Sequence, residues 1–99
     1  MIRTIAALAM TLLLAACDSS PGPLSGTWKA QGIMPLTSTF RAGEVESMGM
    51  IERVDYKVDG RSVIVTMKDG MMKGTAVRYV LVNPTTVQSM GMTFRKVGN

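Results

Sequence analysis

The chain has 99 residues, a formal charge of +4, one Cys and no His. Without His, a Ser-His-Asp or Cys-His nucleophile pair is excluded, as are zinc sites built on His and Cys. The charges are scattered, so no basic stripe marks a nucleic-acid partner, and the length supports one small domain with a thin core.

The chain opens with Arg3, then an apolar run from Ile5 that ends in Leu14-Ala15-Ala16-Cys17. The run is too short to span a bilayer, which takes ~20 apolar residues. Position, apolar run, small residues and the sole Cys together resemble a bacterial lipobox. That resemblance implies a diacylglyceryl group on the Cys17 sulfur, cleavage between Ala16 and Cys17, and acylation of the new N-terminus. The alternative is an ordinary signal peptide or a short anchor helix with an incidental Cys. Under the lipobox reading, residues 1–16 are a cleaved signal helix, residues 17–23 a lipidated Cys and flexible tether, and residues 24–99 the folded domain. Pro21, Gly22 and Pro23 keep the tether out of any helix or central strand. The expected location is the bacterial cell envelope, facing the periplasm and held to the membrane by the lipid. Asp18 after the lipidated Cys resembles the inner-membrane retention signal of enterobacterial lipoproteins, with the outer membrane as the other destination. Without Arg3 the mature chain keeps 10 basic and 7 acidic residues.

From Leu24 the sequence predicts strands. The first is Leu24–Ala30, the second Leu36–Arg41, and Ala42-Gly43-Glu44 turns the chain into an extended stretch over Val45–Ile51. Arg53–Val58 alternates, with Val54, Tyr56 and Val58 on one face and charges on the other. Asp59-Gly60 leads into the β-branched run Ser62–Met67, and Asp69-Gly70 into a strand over Thr75–Val82. Asn83-Pro84-Thr85 turns again, and 86–90 with 92–97 form a last hairpin around Gly91. The expected fold is all-β, a small antiparallel meander closing into a barrel so that no long edge stays unpaired. Trp28, Val54, Tyr56, Val58, Val63, Val65, Tyr79, Leu81 and Phe94 are the expected core.

Leu24-x-Gly26-Thr27-Trp28-Lys29, Tyr56-x-Val58-Asp59-Gly60 and Phe94-Arg95-Lys96-Val97 together resemble the small lipocalin-like domains of bacterial lipoproteins. In lipocalins a Gly-x-Trp on the first strand sits at the closed end of the barrel, and a base from the last strand packs across the indole. The resemblance therefore implies barrel-end packing of Trp28 with Arg95, or with Lys96 as the alternative base. It also implies a carrier of small apolar ligands, although the chain is about half the length of a full lipocalin.

Methionine is the compositional oddity: ten in all, eight of them after Cys17, with Ser47-Met48-Gly49-Met50 repeated as Ser89-Met90-Gly91-Met92. Thioethers fill irregular cores, line adaptable binding surfaces, or hold Cu(I). Met48, Met50, Met90 and Met92 are thus a candidate binding surface. The two pairs are expected to differ in geometry, one on a strand and the other broken by a turn. Glu44, Glu46, Glu52, Asp55, Asp59 and Asp69 suggest no acid/base pair, so no catalytic residue, metal or cofactor beyond the Cys17 lipid is expected. The reading is a non-catalytic accessory module that docks an envelope protein. An apolar-ligand carrier and a Met-based Cu(I) protein are the alternatives.

Overall fold

Eight runs of alternating side chains, separated by tight turns, fold in sequence order into one antiparallel meander. The structure, a computed structural model, describes residues 17–32 and 34–99. The expected signal helix over 1–16, with Ala16 of the cleavage site, lies outside the described residues. A two-residue strand β1 (Cys17–Asp18) and a 3-10 turn over Gly22–Leu24 precede the meander. It comprises β2 (Gly26–Gln31), β3 (Thr37–Arg41), β4 (Glu44–Ser47), β5 (Met50–Asp59), β6 (Ser62–Met67), β7 (Ala76–Asn83), β8 (Thr86–Ser89) and β9 (Met92–Gly98). Each strand pairs with the next, and β2 pairs with β9, so β2–β9 close into a barrel. Closure removes the exposed edges that an open sheet of this size would leave.

Up-and-down connectivity gives the barrel two chemically distinct ends. The β3/β4, β5/β6 and β7/β8 turns lie at the near end, where the chain enters β2. The β2/β3, β4/β5, β6/β7 and β8/β9 connections lie at the far end.

Side chains alternate across each strand, so one face of the strand lines the interior. Val54 and Tyr56 of β5 are buried while Arg53, Asp55 and Lys57 are exposed; Val63 and Val65 of β6 are buried with them. Trp28, Leu81 and Phe94 join this core as expected, and Tyr79 packs against it half-buried. Leu24, Ala30, Phe40, Val45 and Val87 complete the core. Fully burying a Val or Leu side chain is worth ~1.5–3 kcal/mol, so this single layer supplies most of the drive to fold.

Val58 departs from expectation. It has the parity of Val54 and Tyr56, yet it is 44% exposed. It is the penultimate residue of β5, at the near rim, and its Cγ2 lies over Gly22 rather than in the core.

The stretch expected to be extended over Val45–Ile51 is instead a hairpin. β4 ends at Ser47, Met48-Gly49 forms a two-residue turn, and Ser47 pairs with Met50. Met48 and Gly49 have φ of 55° and 78°; Met90 and Gly91, between β8 and β9, have 51° and 77°. Two successive positive φ values mark the type I′ turn, whose twist matches that of the flanking strands. The two Ser-Met-Gly-Met segments therefore share one backbone geometry, contrary to the expectation that they would differ.

Candidate functional site

The near end is built around Trp28. Its indole is fully buried, and its N–H donates to the Leu24 carbonyl at 2.8 Å. Gly26 is required beside it. Its φ is +118°, and a Cβ there would stand 2.7 Å from the Gly98 carbonyl and 2.8 Å from the Lys96 side chain. The β2/β9 register sets Lys96 opposite Trp28, with its ammonium 6.0 Å from the ring centroid, at the outer limit of a cation–π contact.

Arg95 does not play that part. It pairs with Lys29 one position along, on the other parity, and faces solvent. Trp28 to Gln31 pair in one continuous register with Lys96 to Thr93, which puts Lys96 opposite Trp28 and on the face of buried Phe94; the register shifts only beyond them, between Thr27 and Trp28. Of the two bases at the end of the chain, Lys96 is the one over the indole.

Residues 17–23, expected as a flexible tether, run along the barrel. The backbones of Cys17 and Asp18 pair with Lys57 and Tyr56, and the Gly43 amide donates to the Ser19 carbonyl at 2.7 Å. Pro21 and Leu24 are buried. This segment takes up the β5 edge that β4 leaves free after Arg53, since β4 pairs only with Met50–Arg53. Cys17 is therefore held at the near end with no free spacer between it and the barrel wall. A surface cleft of about 600 Å³ opens nearby, lined by Pro23, Arg61, Leu81, Pro84 and Lys96 among others.

The far end is defined by methionine. Met34 lies in the β2/β3 connection, Met48 at the β4/β5 tip, Met71 and Met72 in the β6/β7 loop, and Met90 at the β8/β9 tip. Met50 and Met92 open the strands that leave two of those tips, and Met67 closes the strand that enters a third. All eight methionines of residues 17–99 thus lie at this end. Met71 is fully exposed, and Met90, Met48 and Met34 are 81%, 78% and 75% exposed. Met50, Met72 and Met92 are exposed as well, and only Met67 packs against the core. Four hairpins each present at least one thioether to solvent.

Sequence reasoning singled out Met48, Met50, Met90 and Met92 but missed Met34, Met71 and Met72. The signal was available, because counting hairpins along a meander assigns every second turn to one end. A second cleft, of about 300 Å³, lies beside this rim on the outer wall, lined by Arg78, Val80, Gln88, Met90 and Met92 among others.

The interior between the ends is closed by aromatic rings. Phe40 of β3 and Tyr79 of β7 meet edge to face at 5.2 Å between centroids, and these strands are diametrically opposed in the barrel. Phe40 also meets Tyr56, and Tyr79 meets Phe94, at 6.4 and 6.0 Å. Burial pushes both tyrosine hydroxyls above their ordinary value near 10, Tyr56 most strongly, and the Tyr56 hydroxyl donates to the Glu44 carbonyl at 2.6 Å. Among the described residues, no three His, Cys, Asp or Glu gather as a metal site. Four carboxylates instead pair with bases on the surface: Glu44 and Glu46 with Arg41, Asp55 with Lys68, and Asp69 with Arg53.

No family model, curated protein or solved structure matches the chain.

Proposed function

We propose that this chain is a lipid-anchored, periplasm-facing envelope lipoprotein whose barrel docks a protein partner through the methionine rim. The lipobox-like Leu14-Ala15-Ala16-Cys17 motif supports the anchor, and Asp18 favours retention at the inner membrane. The observation that carries the docking half is the Phe40–Tyr79 contact across the barrel. A carrier needs interior volume at that level, and the rings occupy it. The apolar surface left for recognition is outside, on the far-end hairpins. Thioether side chains are flexible and polarizable, which suits a surface that must adapt to a partner.

The two ends then divide the work. A lipid on Cys17 holds the near end at the membrane, because β1 is paired directly to β5. The rim points away from that membrane, toward the compartment where a partner would be met. Two or three acyl chains hold the barrel stably, where one would be marginal.

Metabolic labelling with palmitate tests the anchor. Label is expected in the wild-type chain and absent from Cys17→Ser, which stays at precursor mass. Label retained by the Cys17→Ser chain would overturn the lipoprotein reading.

A further inference from the structure

We propose that the far-end methionine rim is a site of reversible two-electron oxidation, at which peroxide-class oxidants turn an apolar surface polar while the barrel stays folded. The first observation is the turn chemistry. A type I′ turn asks for Asn, Asp or Gly at its first central position. Met48 and Met90 sit there at positive φ, which costs an L-residue ~1–2 kcal/mol in the left-handed region. Neither side chain repays that cost by burial, since both are about four-fifths exposed. The same tetrapeptide accepts the strain twice, so what remains to explain Met is its own chemistry.

The second observation is the partition between rim and core. The core is made of aromatic rings, Leu24, Leu81, Ala30 and the valines, with no methionine among its buried members. Of the methionines among the described residues, Met67 alone packs against it. Oxidation at the tips therefore adds oxygen where no packing depends on the side chain.

The reaction balances simply. A thioether lone pair attacks one peroxide oxygen, the S–O bond forms, the O–O bond breaks, and the second oxygen leaves as water. Sulfur loses two electrons and the peroxide gains them. A thiol-dependent sulfoxide reductase reverses the step, with a dithiol oxidised to a disulfide and the oxygen released as water. Each sulfoxide puts a polar group on a hairpin tip, so successive oxidations remove the apolar surface by degrees. The consequence that oxidation releases a docked partner rests on the docking reading above; the oxidation itself does not.

The test treats the purified full-length chain with graded hydrogen peroxide, reads each methionine by peptide mass spectrometry, and follows the melting temperature in parallel. Met34, Met48, Met71 and Met90 are expected to gain oxygen roughly fivefold or more faster than Met67, as exposure dictates. The melting temperature is expected to hold while those four are converted, and sulfoxide reductase with a thiol donor is expected to restore their masses. Met67 oxidising in step with the tips, melting that falls as the tips are converted, or sulfoxides that resist the reductase would each overturn the proposal. Because no partner is present, failure here is separate from failure of docking.

Discussion

Phe40 and Tyr79 touch edge to face across the full width of the barrel, their centroids 5.2 Å apart. The strands that carry them, β3 and β7, are four steps apart in either direction around an eight-stranded closed sheet. A contact of that kind is made only where the interior is filled by side chains, so this pair both holds the core together and excludes a bound ligand at its level. Edge-to-face pairs add ~0.5–1.5 kcal/mol beyond the area they bury.

Truncating Phe40 to Ala should therefore be severe. The expected loss is ~3–5 kcal/mol from burial and the cavity left behind, measured by urea unfolding. Phe40→Leu keeps most of the volume and should cost less than half as much. A Phe40→Ala chain that melts like wild type would mean that the rings do not bridge the barrel.

Tyr56 gives the fold a dependence on alkaline pH. Burial raises its pKa in the folded state, so the folded chain keeps the phenolic proton when the unfolded chain has begun to lose it. The resulting stability is fully present below the unfolded value near 10 and declines as pH rises above it. Tyr79, also raised by burial, adds to the same limb. Tyr56→Phe should cost about 1 kcal/mol at neutral pH through loss of the hydrogen bond to Glu44. It should also flatten the decline in melting temperature above about pH 10. An unchanged alkaline limb would remove Tyr56 from this account.

Replacing Met48 or Met90 by Asn should stabilise the barrel. Asn-Gly is favoured in a type I′ turn and relieves the positive-φ cost, so each change is expected to gain ~0.5–1 kcal/mol. The two gains should add, because the tips belong to separate hairpins. A loss of stability at either site would show that the methionine packs on something the turn needs.

The strand boundaries were legible because turns here are mostly announced by Gly, Asp, Asn and Pro. Ser62–Met67 begins and ends where its β-branched run does, and the last hairpin turns at Gly91 as expected. The β4/β5 turn was hidden because Met at positive φ is no turn signal, so Ser47-Met48-Gly49-Met50 passed for strand. The barrel-end base was legible only to within one residue. Strand parity decides between Arg95 and Lys96, since Lys96 shares the face of buried Phe94, and the motif resemblance alone does not carry that parity. Leu24 and Pro21 look like strand start and tether in the sequence because nothing local says that they fold back over the near end. The rim lay in plain view as eight methionines, but its gathering at one end is a property of topology rather than of any single segment.

The central claim is that the methionine rim contacts a protein partner, and photo-crosslinking from the rim tests it most directly. A photoactivatable methionine analogue would be incorporated in the producing cells, and the crosslinked peptides mapped by mass spectrometry. The expected result is one dominant protein linked through residues 34, 48, 71, 72 or 90, with the link lost when Met48 and Met90 are changed to Asn. Links that arise equally from residue 67, or that reach only lipid or many unrelated proteins, would contradict docking through the rim.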